Sequence, residues 1–303
     1  MGLPAQIAGD ASAAEVAFDL AFQSAYKSIE PISPQFTQRI GARTRTTKLP
    51  INAKLAKMRK WEGERITRSG AIYTYSVDAE KYELTYGIPL EDFEDDQLGF
   101  HSANIAEMGQ NARLWQDDLV FAAILAGATD TGYDGSAFFA DAHTLGSSTI
   151  DNLFASTALT SDNYNSVRSA MGAYCGENGE SLRVRPNILL VPPALERTAL
   201  RIVEAMVEAS SNAAIDNVMR GTARVVVAPQ LSTAAGGSDT TWYLLDASRP
   251  VKPFLFIERK APMFSQLTEG SDAAFKDDEF LFGVRARGAA AYGPFWLAAK
   301  CTA

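Results

Sequence analysis

The side chains able to do chemistry are few and scattered. The chain holds two histidines, His101 and His143, 42 positions apart, and two cysteines, Cys175 and Cys301. No HExxH pair and no set of thiolates for a zinc or iron–sulfur cage occurs, and a disulfide scaffold is excluded. No Gly-x-Ser-x-Gly elbow is present. Gly236-Gly237-Ser238 lacks the Lys and the spacing of a phosphate loop. Cys175, followed by Gly176 and with no adjacent cation to make it a thiolate, reads as a buried structural thiol. Asp117 and Asp118 read as surface charges of a helix rather than an acid/base pair. What is left for a metal-dependent enzyme is Asp141-x-His143 with the carboxylates of Glu91-Asp92-Phe93-Glu94-Asp95-Asp96. Metal ligands usually converge from separated segments, whereas this run is one consecutive block. No catalytic, metal or cofactor-binding residue is assigned, and no cofactor is expected.

The charge distribution is more informative. The 303 residues are 47% hydrophobic and 21% charged, with a net charge of −8. That is the composition of a folded chain with one large domain or two ordinary ones. No run of strongly apolar residues is long enough for a membrane span, and a reduced, intracellular site of synthesis is expected. Between Arg39 and Arg68 ten basic residues stand against Glu62 and Glu64, a net of +8. Residues 1–38 carry −3, which leaves −13 for residues 69–303. Three readings of a basic stretch on an acidic body stay open: a solvated loop, a phosphate contact, or a segment that reaches an acidic face of another copy.

The elements that must position these charges follow from periodicity. Residues 11–29 read as a helix with Ala13, Val16, Ala17, Leu20 and Ala21 near one side, stopped by Pro31 and Pro34. Residues 31–60 read as irregular. Residues 72–77 and 82–88 alternate and read as strands; with the basic stretch before them they suggest a long projecting hairpin. From about 101 to 126, Ile105, Met108, Ala112, Trp115, Leu119, Ala122 and Ala126 recur at steps of three and four. That is one helical stripe on a rod of about 39 Å. The acidic run would complement its dipole. Residues 129–160 read as loop, and residues 161–174 as a helix capped by Ser161 or Asp162. Ile188–Val191 reads as a buried strand, followed by a helix to about Ser210. Val225–Ala228, Trp242–Leu245, 253–257 and the alternating end from Phe280 to Leu297 read as further strands. Helices and strands interleave without repeating as βαβ units, which predicts an α+β fold.

Several stretches, in order, resemble the major head subunits of Mu-like tailed phages. They are Trp61-Glu62-Gly63-Glu64-Arg65, the Tyr82–Pro89 strand, residues 90–99, Glu107-Met108-Gly109 and Asp117-Asp118-Leu119-Val120-Phe121. Tyr133 to Phe139 and Phe282-Gly283-Val284-Arg285-Ala286-Arg287-Gly288 continue the series. The resemblance covers about 61–145 and 278–297; Leu190-Val191-Pro192-Pro193-Ala194-Leu195-Glu196 carries it in the middle, and residues 1–45 depart from it.

The resemblance implies the Hong Kong 97-type capsid fold. Residues 1–38 would be an N-terminal arm and 39–83 an extended β-hairpin loop. Residues 84–149 would be a peripheral domain with a spine helix at about 97–127. Residues 150–255 would form an axial domain, and 256–303 would return to the peripheral sheet. The implied function is a major capsid protein forming hexamers and pentamers of an icosahedral shell around double-stranded DNA, assembled in the host cytoplasm. Portal and scaffolding proteins are the implied partners, with no sequence-specific DNA binding and no membrane. A gene-transfer particle or an encapsulin-like compartment would use the same subunit. No Lys–Asn cross-link is assigned. Combined with the charge pattern, inter-subunit contact falls to the loop cations Arg43, Arg45, Lys48, Lys54, Lys57, Arg59, Lys60, Arg65 and Arg68. Their counterpart is the acidic face Glu91, Asp92, Glu94, Asp95 and Asp96.

Overall fold

One long helix lies across two sheets and shares a core with each. The computed structural model describes residues 5–52, 60, 72–94, 98–145, 148–176, 179–209, 214–268, 276 and 278–303. Helix α1 (Ala5–Ser28) ends before Pro31, and a short 3-10 turn at Ser33–Gln35 leads into strand β1 (Thr37–Gly41). Strands β2 (Thr46–Asn52) and β3 (Ile72–Asp78) form an antiparallel hairpin with Thr46 opposite Asp78. Strand β4 (Glu80–Pro89), helix α2 (Leu90–Glu94) and helix α3 (Leu98–Ala126) follow. Much later come β13 (Phe254–Leu267) and β14 (Glu279–Tyr292), two 14-residue strands. With β1 and β4 they make a four-stranded sheet, in the order β1-β13-β14-β4.

The remaining elements build the second half. They are β5 (His143–Leu145), β6 (Ser148–Ile150), β7 (Leu153–Phe154), α4 (Ser161–Gly172), β8 (Ile188–Val191), α5 (Glu196–Val203), β9 (Val207–Ala209) and β10 (Ala214–Asp216). Then come β11 (Arg224–Val227), β12 (Trp242–Leu245) and, at the end, β15 (Ala298–Cys301). A five-stranded sheet runs β11-β8-β12-β15-β7. Strands β8 and β12 are buried on both faces, which explains their continuous apolar sequence.

Packing follows from strand alternation. Along β14, Phe280, Phe282, Val284 and Ala286 are buried beneath the helices, while Arg285 is exposed on the opposite face. Phe18 and Phe22 of α1 and Ile105, Met108 and Ala112 of α3 complete that core. Each buried Phe contributes about 1.5–3 kcal/mol. The C-terminal half of α3 turns Val120, Phe121 and Ile124 into the larger core of the five-stranded sheet. Between the two cores Trp115 packs edge-on against Phe256 at 5.3 Å. It lies where Gly288 has no side chain, since a Cβ there would stand 2.8 Å from the indole. Helices α1 and α3 approach just as closely at Gly109, where a Cβ would meet the Phe22 carbonyl at 2.6 Å.

Several sequence expectations need correction. Helix α1 buries Ala14, Phe18, Phe22 and Ala25, so the side with Val16 and Leu20 faces outward. The aromatic rings carry more burial energy than the alanine-diluted stripe, and they choose the face. Residues 31–60 are not irregular: β1 and β2 lie within them. The strand at 72–78 pairs back with β2 rather than forward with β4, which pairs with β14. Ala122 is exposed, because the apolar stripe drifts round the helix. Thr160, not Ser161 or Asp162, caps α4, accepting from the Asn163 amide at 3.2 Å. Helix α5 stops at Val203 rather than near Ser210. The chain end from Ala298 to Cys301 joins the five-stranded sheet, not the four-stranded one. Cys175 is half-buried rather than buried.

Asp117 departs furthest from expectation. It is fully buried, not a surface charge, and accepts from the Ile32 amide at 2.7 Å and the Ser33 amide at 2.9 Å. These bonds tie the turn after α1 to the middle of α3. Its neighbour Asp118 is exposed, and partial burial with the Asp117 charge raises its acid above the ordinary value. Asp117→Ala is expected to lower the melting temperature, at about 1–3 kcal/mol for each stranded amide. Asp118→Ala should stay within about 0.5 kcal/mol of wild type. Thermal melts followed by circular dichroism check both; equal melting temperatures for the two variants would contradict this role.

Candidate assembly interface

The described part of the expected loop is the β2–β3 hairpin, which is anchored on the body. Leu49 of β2 is buried with Leu255, Ile257 and Ala291, and Tyr75 and Val77 of β3 pack on the same cluster. Arg43, Arg45, Lys48 and Lys60 are exposed. Arg39, at the edge of the basic stretch, pairs with Glu258 of its own chain. Lys54, Lys57, Arg59, Arg65 and Arg68 lie outside the described residues.

The acidic run begins on α2, directly after β4. Glu91 is exposed and Asp92 is half-buried. Glu94 ends α2, and Asp95 and Asp96 lie outside the described residues. The described start of the run therefore lies on its own short helix rather than opening α3. His101 clamps it in place: Nε2 meets the Asp92 carboxylate at 2.8 Å and Nδ1 meets the Tyr86 hydroxyl at 2.9 Å. Asn104 donates to the same hydroxyl at 2.7 Å. The partners assign the protons. A carboxylate only accepts, so Nε2 donates to Asp92; Tyr86 then donates to Nδ1 while accepting from Asn104. Sequence reasoning missed this clamp. Its signal was the spacing of His101 and Asn104, which puts both on one helical face opposite an alternating strand.

Among the described residues the loop cations and the acidic run are not brought together. The hairpin rejoins the body at Ala79, just before β4, and α2 leaves from the other end of that strand. Ten extended residues span about 33 Å. At that distance, several Debye lengths in ordinary buffer, the two patches exert almost no force on each other within a chain.

The metal-site alternative fares differently. His143 is fully buried and bonds Asp134 through Nδ1 at 2.6 Å, while Nε2 faces the Phe138 carbonyl at 3.2 Å. Its partner is thus Asp134, not Asp141, and its ring stacks on Phe295 at 3.9 Å. Both ring nitrogens are engaged in holding the 134–143 turn. Among the described residues no three His, Cys, Asp or Glu side chains converge. Burial and the Asp151 charge raise the Cys301 thiol, which makes it a poor nucleophile. Among the described residues no helix is long and apolar enough to cross a membrane.

Apolar surface is also left uncovered. Val16 is 61% and Leu20 64% exposed on α1. A groove of about 590 Å³ opens between the hairpin base and the body, lined by Ile40, Leu49, Val251, Leu255, Pro294 and Trp296 among others.

A long helix on a four-stranded sheet, a hairpin inserted before it and a second α/β half define the Hong Kong 97-type capsid fold. The procapsid subunit of bacteriophage JBD30 matches with a TM-score of 0.60 at 25% identity, covering 99% of this chain and 76% of that one. The capsid subunit of an empty GTA particle shares the fold at 11% identity, with a TM-score of 0.52 and 89% of each chain covered. The chain belongs to the family of the Mu-like prophage major head subunit gpT, which matches residues 12–158, 152–231 and 230–302. The major capsid protein of Escherichia phage Mu is 27% identical over 258 residues, which is 85% of this chain and 61% of that protein. The chain thus spans about three fifths of that relative's length.

The hairpin base supplies a direct test. Leu49→Ala should cost about 2–5 kcal/mol of docking energy. Limited proteolysis should then cut between β2 and β3 several-fold faster while β13 and β14 stay protected. An unchanged cleavage rate would show that Leu49 does not anchor the hairpin.

Proposed function

We propose that this chain is the major capsid protein of a tailed phage or prophage, self-assembling into a closed icosahedral shell around double-stranded DNA. The observation that carries this reading is the separation of opposite charges. The sequence puts a +8 stretch before β4 and a run of five carboxylates after it. Their described members, Arg43, Arg45 and Lys48 before β3 and Glu91 and Asp92 on α2, lie at opposite ends of that strand, so each is free to find its complement on another copy. Family membership and the capsid fold support the same reading. The arm is residues 1–38, the extended loop 39–83, the peripheral domain 84–149 with β13 and β14 returning to its sheet, and the axial domain 150–255 joined by β15. Copies form hexamers and pentamers. Each contact is modest, and their number makes the closed shell stable. The net charge of −8 suits a container that holds DNA without adhering to it. The same subunit would serve a gene-transfer particle, and the cargo inside purified particles separates the two.

In this reading Arg43, Arg45, Lys48 and the remaining loop cations contact the Glu91–Asp96 face of a neighbour, with assembly in the host cytoplasm alongside portal and scaffolding proteins. Arg43→Glu with Arg45→Glu should reduce particle yield about tenfold, the effect of roughly 1.4 kcal/mol per subunit contact. It should also lower the salt concentration at which particles fall apart. Negative-stain imaging with sucrose-gradient yield measures this. Normal yield and normal salt resistance would sink the loop-to-face assignment.

A further inference from the structure

The four-stranded sheet carries a second charge separation on its open face. Lys81, Arg259, Lys260, Arg285 and Arg287 line a cavity of about 310 Å³. In the sheet register Lys81 stands opposite Arg287, and Arg287 opposite Lys260. Three cations therefore face each other across three adjacent strands, about 5 Å apart from strand to strand. Like charges directly opposite one another destabilise a sheet. The nearby carboxylates are held elsewhere: Glu80 by Tyr82, Glu83 by Thr85 and Glu258 by Arg39. Among the described residues none of the five cations is ion-paired with a carboxylate. The Arg287 Nε is buried without a hydrogen-bond partner.

The other end of the same sheet is acidic. In the sequence, residues 269–279, which follow β13 and run into the start of β14, carry Glu269, Asp272, Asp277, Asp278 and Glu279 against Lys276 alone. Asp278 is exposed and held at φ 57°, with its carbonyl accepting from the Leu90 amide at 2.9 Å. Glu279 and Arg287 lie eight residues apart on β14, about 26 Å, so one chain cannot close this pair on itself.

We propose that the five-cation cavity receives the acidic corner that opens β14 in a second copy, with Asp278 and Glu279 as the pairing carboxylates. This rests on the shell reading above and adds a contact distinct from the hairpin. Acidic end to basic cavity is a heterologous contact, which builds rings when the rotation closes. Carboxylates of such a corner fit better than a nucleic-acid backbone. DNA presents a charge every ~1.7 Å along its axis. Glu80, Glu83 and Glu258 flank the cations and would repel such a continuous polyanion, whereas a corner can place single carboxylates between them.

Full-length chains with Arg285→Glu and Arg287→Glu are expected to give about tenfold fewer particles than wild type. Asp278→Asn with Glu279→Arg should do the same, Asn being tolerated at positive φ. Combining all four changes should restore yield to within about threefold of wild type, because opposite charges again meet. Wild-type yield from either pair alone, or no recovery in the combination, would overturn the proposal. Where the arginine reversals fail to fold by circular dichroism, Lys81→Gln with Lys260→Gln replaces them. Its particles should dissociate at lower salt, and an unchanged dissociation point would overturn the proposal. Normal assembly combined with weakened retention on double-stranded DNA would assign the cavity to nucleic acid instead, and would overturn it too. A wild-type chain that forms no particles contradicts the shell reading itself and this contact with it. Wild-type particles indifferent to every variant contradict only this contact.

Discussion

The length of one strand governs what this molecule can do. Strand β4 is ten residues long, about 33 Å, and it keeps a basic hairpin at one end from an acidic helix at the other. A charged pair separated so far in water gains almost nothing within one chain. A sheet cannot bend to bring its ends together, because its register is fixed by ladder hydrogen bonds and by alternation over a buried face. The proposed shell contact gives each end its complement on another copy. Asp92 strengthens the constraint, since His101 and Tyr86 hold it against α3 rather than leaving the acidic helix to drift.

The rest of the fold makes that strand stiff. Helix α3 is 29 residues, about 43 Å, and runs from the core under α1 into the core of the five-stranded sheet. Asp117 fastens the turn after α1 to its midpoint. Trp115 lies in the gap that Gly288 leaves on the sheet. One helix thereby belongs to the cores of both halves.

The parts of this architecture that were legible in the sequence are those set by local periodicity. The stripe from Ile105 to Leu119 fixed helix α3 within a few residues, and the alternation of Ile72–Val77 and Tyr82–Ile88 marked two strands. Which partner each strand takes was not legible: β3 returns to β2 across the 53–71 segment, and β4 reaches β14 nearly 200 residues away. Helix α1 shows the limit of counting apolar positions, since Val16 and Leu20 form as regular a stripe as Phe18 and Phe22, and only the ring volume decides which is buried. Asp117 was read as surface because nothing local distinguishes it from Asp118; its partners are amides 84 and 85 positions away. The acidic run and the basic stretch were visible as charge. The distance between them, which gives them meaning, needed the sheet. The Arg285–Arg287 row escaped notice because its other members come from strands remote in sequence.

The most direct measurement is a cryo-electron microscopy reconstruction of particles assembled from the full chain. The account predicts a closed shell in which the β2–β3 hairpin of each subunit lies across a neighbour, with its cations over that neighbour's α2. Particles in which the hairpin folds back on its own chain, or in which α2 faces solvent on every copy, would contradict it.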